Sequence, residues 1–289
     1  MPTVTTVDGV KLFYVEAGSG FPVVLVHEFA GDYRSYEWQL HYFARHYRCI
    51  AYNARGFPPS DVPTELDSYS QDRARDDIRD LLDQLKIEQA HIVGVSMGAF
   101  AALHFGFAYP GRARSLVLGG CGYGANPASR AQFEAEAEAA AERFETTEMA
   151  VAARAYGEGP GRQQLRAKDP LAFAEFLANL GEHSPVGSAL TLRGVQKRRP
   201  SLYDLTDQMK QLAVPVMVMT GDEDMPCVEP SIFMKSSIPA AGLAIFPRTG
   251  HALNVEQPSL FNWIVAEFFH QVEADRWPMR QPASGDRIL

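Results

Sequence analysis

Ser96 lies in "VGVSMGA", a Gly94-x-Ser96-x-Gly98 pattern that directly follows an apolar run and directly precedes helical spacing. A strand turning sharply into a helix leaves no room for β-carbons beside the serine, and both crowded positions are glycine. Such a turn lifts the hydroxyl clear of the sheet and aims the first N–H groups of the helix at it. A serine hydroxyl is a weak nucleophile at neutral pH, so it needs a base, and the base needs an acid to orient it. Two polar clusters downstream can supply them. One is Asp222-Glu223-Asp224 after the apolar "VPVMVMT", the other His251 in "RTGHALNVEQP" after "GLAIFP". Serine, acid and histidine in that order suit acyl transfer to a hydroxyl, with Ser96, Asp224 and His251 as the catalytic set and Asp222 and Glu223 as rivals for the acid. A third stretch, "VVLVHEFAG" at 23–31, ends a buried-strand pattern on His27-Glu28. A zinc motif of the His-Glu-x-x-His type would need histidine at position 31, where Gly31 stands, so that chemistry is excluded.

These residues need a scaffold that brings distant chain segments to one edge. "KLFYVEAG" and "FPVVLVH" are apolar runs separated by "GSG", a turn signal, and "RCIAYNA", "AHIVGV" and "SLVLGG" continue the series. Between them "SYEWQLHYFARHY", "SQDRARDDIRDLLDQLKI" and "MGAFAALHFGFAYP" have helical spacing, the second placing Ile78, Leu81, Leu82 and Leu85 on one stripe. "SLFNWIVAEFFHQV" closes the series as an amphipathic helix. Strands alternating with helices predict an α/β fold with a mostly parallel central sheet flanked by helices. His41, His46, His104 and His270 lie within helical patterns and are read as surface or packing residues.

The rhythm breaks between about Asn126 and Leu205, where helical patterns such as "SRAQFEAEAEAAAERF" and "DPLAFAEFLANLG" occur without a strand. The expected organisation is a core of residues 1–125 and 206–275, a helical insertion at 126–205, and a tail at 276–289 that reads as poorly packed or as a surface strap. The basic run "QKRRP" is expected to be a solvated helix end before a proline. Composition narrows the function. With 46% hydrophobic and 21% charged residues the chain is globular, and a net charge of −8 argues against nucleic-acid or anionic-membrane partners. Cys49, Cys121 and Cys227 are odd in number and form no paired motif, which suits a reducing, cytoplasmic setting and no structural zinc. The start, "MPTVTTVDGV", has neither the basic nor the apolar region of a secretory signal. A small-molecule substrate is the expected partner, and the residues leave both a monomer and a homodimer open.

Taken together, the Gly-x-Ser-x-Gly turn, the acid cluster and the strand-end histidine resemble the α/β-hydrolase fold family over most of residues 10–272, with the insertion where that family carries a helical cap. The resemblance implies Ser96 as nucleophile, His251 as base and Asp224 as the acid, three residues beyond the strand-ending Gly221. It also implies an oxyanion hole made by the backbone N–H groups of Phe29 and Met97, and no cofactor. Close relatives that open epoxides or displace halide use a carboxylate at the elbow, whereas Ser96 suits esters or lactones. Alternatives on the same fold are hydrolysis of a carbon–carbon bond in a vinylogous diketone, a non-catalytic ligand receptor, and a cofactor-independent dioxygenase. An apolar pocket is expected from Phe29, Phe133, Phe144, Phe173 and Phe176, with His183 as a further lining residue.

Two stretches depart from the family pattern: "NARGFPPSD", with Asn53 and Pro59, and Glu28, where the pattern has glycine. A carboxylate beside an oxyanion hole would oppose the charge that forms there, so Glu28 must be turned away, protonated or neutralised. Arg34 and Arg55 are the expected partners, Arg55 ahead of Arg34, with a pocket-facing Glu28 that binds substrate as the other reading.

Overall fold

The computed structural model describes residues 2–280. Eight strands form one sheet: β1 (Thr3–Thr5), β2 (Lys11–Ala17), β3 (Phe21–Val26), β4 (Tyr47–Tyr52), β5 (Ala90–Val95), β6 (Ala113–Gly119), β7 (Val216–Gly221) and β8 (Ala241–Phe246). Their spatial order is β1-β2-β4-β3-β5-β6-β7-β8. The first two strands join antiparallel and every later pairing is parallel. Parallel strands must be joined by crossovers, and helices supply them: α1 (Glu37–Phe43), α2 (Gln71–Gln84) and α3 (Met97–Ala108) in the first half.

The strands alternate sides with period two, and both sides are covered. Val24, Val26, Ile92, Leu116 and Leu118 face a cluster with Ile78, Leu81 and Leu82 of α2 and Phe100 and Leu103 of α3. Val23, Leu25, Val93, Val95 and Val117 face the other way, onto Phe43 of α1 and onto Phe261, Val265 and Phe269. Burial on both faces explains why these strands read as continuous apolar runs.

Between β6 and β7 the regular elements are all helical: α4 (Arg130–Thr146), α5 (Met149–Gly157), α6 (Gln163–Lys168), α7 (Pro170–Gly181), α8 (Pro185–Thr191), a π-helical turn at Leu192–Gln196, and α9 (Thr206–Gln211), with short 3-10 turns between them. Helix α7 starts by local rules. The Asp169 carboxylate accepts the Ala172 N–H at 2.9 Å, and Pro170 takes the first turn, where no N–H is needed. Helix α4, Ala/Glu-rich in sequence, buries only Phe133, Ala137, Ala141 and Phe144, a narrow stripe that packs against α8 and the π-helical turn. After β7 come α10 (Met225–Ser237), then β8, the short α11 (Leu253–Glu256) and α12 (Pro258–Glu273). Among the described residues no helix is long and apolar enough to cross a membrane.

One expectation is corrected. "QKRRP" is not a solvated end: Arg199 is buried, its guanidinium 3.7 Å from the centre of the Phe100 ring, although Arg198 beside it is exposed. A planar guanidinium stacks on an aromatic face where an ammonium would stay hydrated. The start of the tail has the form of the surface strap that is its other expected reading, with Trp277 half-buried and residues 278–280 exposed. Trp277 donates to the Ala240 carbonyl at 2.8 Å and lies edge-on to Phe268. The remainder of the predicted tail, 281–289, lies outside the described residues.

Candidate active site

Strands β3 to β8 all run the same way, so the loops after β3, β5, β7 and β8 open at one edge of the sheet. Ser96 follows β5 directly and adopts φ 52°, ψ −116°, a left-handed conformation costly for any residue with a side chain. Its N–H donates to the Gly119 carbonyl at 2.7 Å, which pins the turn. A Cβ on Gly98 would strike the Val26 carbonyl oxygen, and one on Gly94 would strike the Gly98 backbone, so both positions require glycine.

The Ser96 Oγ stands 2.8 Å from His251 Nε2, and His251 Nδ1 stands 2.7 Å from an Asp224 oxygen. With Asp224 ionised, Nδ1–H donates to it and Nε2 is left to accept the serine proton. Burial works against a charged imidazole, yet the Asp224 carboxylate outweighs it and raises the His251 pKa. Asp224 is buried too, and the imidazole holds its carboxyl below the ordinary value despite that burial. The rival acids go elsewhere. Exposed Asp222 accepts the Thr249 N–H at 3.1 Å and so braces the histidine loop, while Glu223 accepts from Gln164 of α6. Glu256 brackets His251, accepting from Gly250 N–H at 2.8 Å and Ala252 N–H at 3.3 Å.

His27 shapes the loop after β3. Its Nδ1–H donates to the Glu28 carbonyl at 2.7 Å and its Nε2 accepts the Ala54 N–H at 2.9 Å. Burial lowers its pKa to about 4, so the ring is neutral and this tautomer is fixed. The Gly31 N–H donates to the same Glu28 carbonyl at 3.2 Å. In a trans peptide the next N–H points opposite to that carbonyl, so both bonds set the direction of Phe29 N–H. Met97, the first residue of α3, has an N–H with no intrahelical acceptor. Asn53 closes the neighbouring loop, accepting the Tyr33 N–H at 2.9 Å and donating to the Pro58 carbonyl at 2.8 Å.

The expected partners of Glu28 are corrected. Arg55 is buried against Asp77 of α2 at 2.6 Å and Asp8 at 2.8 Å, and Arg34 grips Asp32 and reaches Glu182 at 2.7 Å. Glu28 pairs instead with buried Arg162, on the turn before α6, and neither side chain reaches a tenth exposed. Burial alone would push the Glu28 carboxyl up, but the Arg162 charge outweighs it and holds the group below its usual range. Nothing in local spacing marks a partner so far along the chain. The only sequence signal was a buried carboxylate in need of a cation.

The predicted aromatics divide. Phe29 and Phe144 pack into one buried cluster that joins the core loops to the insertion. Phe133 is buried beside Arg130 and Arg199. Phe176 covers the Arg162 guanidinium at 4.7 Å, and Phe173 lies near Arg166. Arginines therefore stand beside Phe133, Phe173 and Phe176, while Phe29 and Phe144 pack among apolar side chains. His183 reaches the loop after β3, with Nε2 3.6 Å from Asp32 and its ring edge-on to Phe57. Cys227, unnoticed in the sequence as a neighbour of the acid, has its sulfur within 4.8 Å of the Asp224 and His251 ligand atoms. Those donors are already engaged with one another, and burial pushes the thiol well above its ordinary pKa, so it stays protonated.

A model of the alpha/beta hydrolase fold family matches residues 22–258, and the chain belongs to that family. It is 27% identical over 274 residues to a putative 2-succinyl-6-hydroxy-2,4-cyclohexadiene-1-carboxylate synthase of Bacillus subtilis (strain 168), covering 93% of this chain and 98% of that protein. It is 23% identical over 252 residues to 3-oxoadipate enol-lactonase 1 of Acinetobacter baylyi (strain ATCC 33305 / BD413 / ADP1), covering 87% and 89%. Among solved structures, a hydrolase from Pseudomonas aeruginosa PA01 superposes with a TM-score of 0.82 at 25% identity, covering 93% of this chain and 97% of that one.

Proposed function

We propose that the chain is a serine hydrolase that cleaves a small or medium carboxylic ester or lactone through an acyl-enzyme. The observation that carries this reading is the unbroken relay from Ser96 Oγ through His251 to Asp224, at 2.8 and 2.7 Å. His251 Nε2 takes the serine proton as Oγ attacks the acyl carbon, and Asp224 steadies the imidazolium that forms. The negative charge of the tetrahedral intermediate falls on the acyl oxygen, which Phe29 and Met97 N–H receive. His251 then gives its proton to the leaving alkoxide. Water, deprotonated by the same nitrogen, attacks the acyl carbon, and collapse of the second intermediate frees the acid and Ser96. Likeness to a lactonase and to a hydrolase structure supports the class.

The test is a panel of p-nitrophenyl esters of graded chain length beside aryl esters and lactones, with a fluorophosphonate probe. Labelling and turnover that both vanish in Ser96→Ala support the reading. Turnover of a dienone with none of any ester would replace it with carbon–carbon hydrolysis, and an unlabelled, inactive chain would make it a receptor.

A further inference from the structure

Arg162 is 2% exposed, and its backbone neighbourhood touches the triad, because the Gly161 carbonyl accepts the His251 N–H at 3.1 Å. One terminal nitrogen, Nη2, donates to Glu28, and the ring of Phe176 covers the guanidinium. Among the described residues the other, Nη1, is buried with no acceptor at hydrogen-bond geometry, although the Tyr156 phenol lies close to the guanidinium. A buried charged donor left unpaired is costly, so this nitrogen marks the place of an acceptor that the described residues do not provide.

Charge decides which acceptor fits. Glu28 already neutralises Arg162. Among the described residues Asp224 stands nearby with no salt-bridging lysine or arginine, and Glu256 has Lys168 at 3.8 Å besides the charge of Arg162 itself. A substrate carboxylate on Nη1 would add a second anion beside Glu28 and next to the charge that develops on the acyl oxygen. A ketone, ester or lactone carbonyl accepts the same hydrogen bond without that repulsion.

We infer that Arg162 and Glu28 form a charge-neutral subsite beside the triad, in which Arg162 Nη1 binds a second, uncharged carbonyl of the substrate and Glu28 turns carboxylates away. This rests on the serine-hydrolase reading for its placement on an acyl substrate, though not for the binding itself. Arg162 is then a binding residue and Glu28 the residue that sets its preference.

The experiment compares p-nitrophenyl methyl glutarate with p-nitrophenyl hydrogen glutarate, near-isosteres that differ in one negative charge, and uses p-nitrophenyl pentanoate as the ester lacking a second carbonyl. Wild type should favour the methyl ester over the acid by about tenfold or more in kcat/KM, and Glu28→Gln should move that ratio at least about tenfold toward the acid. Arg162→Gln should lower turnover of the methyl glutarate more than that of the pentanoate. Should Glu28→Gln fail to fold, Arg162→Lys, which keeps charge but loses the fork, must show the same selective loss. Calorimetric binding of dimethyl and monomethyl glutarate to Ser96→Ala, with and without Glu28→Gln, gives the ratio independently of turnover. If no ester is turned over but the binding ratio behaves as stated, the hydrolase reading fails and the subsite stands. A ratio untouched by Glu28→Gln, a wild-type preference for the acid, or no binding of either diester overturns the subsite.

Discussion

In the sheet core, Ser96, Asp224 and His251 stand within a few residues of strand ends, and each is held by bonds from its own or a neighbouring loop. In the insertion, Arg162 reaches Glu28 across 134 positions of sequence, and other long-range polar bonds fasten the helices. Arg130 donates to the carbonyls of Lys197 and Arg199, both at 2.7 Å, Arg193 ties α4 through Glu138 and Glu145, and Arg34 of the core meets Glu182. The core places its chemistry by steric necessity, with backbone and glycine deciding. The insertion places its contribution by side-chain pairing, where one changed residue can release a segment without disturbing the sheet. Chemistry should therefore fail with changes at the strand-end turns of the core, and selectivity should shift with changes in the insertion and at Glu28, the core residue it grips.

The sharpest division of the two regions is at the acid. Asp224→Asn should lower kcat by ~10³–10⁴-fold with the fold retained, while Asp222→Asn should cost far less. Because the Asp224 carboxylate raises the His251 pKa, its removal should also move the acidic limb of the kcat/KM profile to lower pH. An equal loss at Asp222, or a limb that moves upward, would break the assignment.

His27 tests the core loop by pH. Its folded pKa, about 4, lies below the ordinary 6.5, so its neutral form contributes fully above 6.5 and the contribution is lost as pH falls toward 4. That interval corresponds to about 3 kcal/mol. Urea unfolding at pH 7 and 4.5 should show the loss, and His27→Gln should flatten it, with the His104 share remaining because that ring is lowered to about 4 as well. Gly98→Ala should cost ~1–3 kcal/mol of stability together with a large fall in kcat, since the elbow must open to admit a methyl group.

Effects in the insertion should be smaller. Phe176→Ala uncovers the Arg162 guanidinium and should change relative kcat/KM across the ester panel by about tenfold while leaving the rate of fluorophosphonate labelling within about twofold. If labelling falls as far as turnover, the insertion belongs to the chemical step and the division fails. Smallest of all, a double-mutant cycle on Arg34 and Glu182 should return a coupling of ~0.2–1 kcal/mol, because Glu182 is two-thirds exposed.

What could be read from the residues follows the same division. The elbow, the strand ends and the Asp169-Pro170 helix start are written locally, as glycine where sterics forbid a side chain and as a cap where a helix begins. The short β1 was missed because three residues carry no usable period. Arg199 and Arg55 were misread for a common reason. Their environments, a stacked Phe100 ring and the pair Asp8 and Asp77, are assembled only when distant segments meet. Glu28 posed the correct question, since a carboxylate there demanded a cation, but the answer lay in a segment whose placement no periodicity encodes.

The last described residues also matter for handling the protein. Among the described residues strand β8 pairs with β7 on one side alone; Trp277 lies over its face, the indole against Gly242, and Arg280 N–H donates to the Pro239 carbonyl just before the strand at 2.9 Å. A strand edge left bare is a template on which a second molecule can add its own strand, and Ile245 is already exposed on this one. A chain trimmed before Trp277 would uncover Phe268 beside that edge, and should keep its chemistry in dilute solution yet lose colloidal stability, with light scattering rising on storage at high concentration. For a preparation meant for crystals or long assays, an affinity tag belongs at the other terminus.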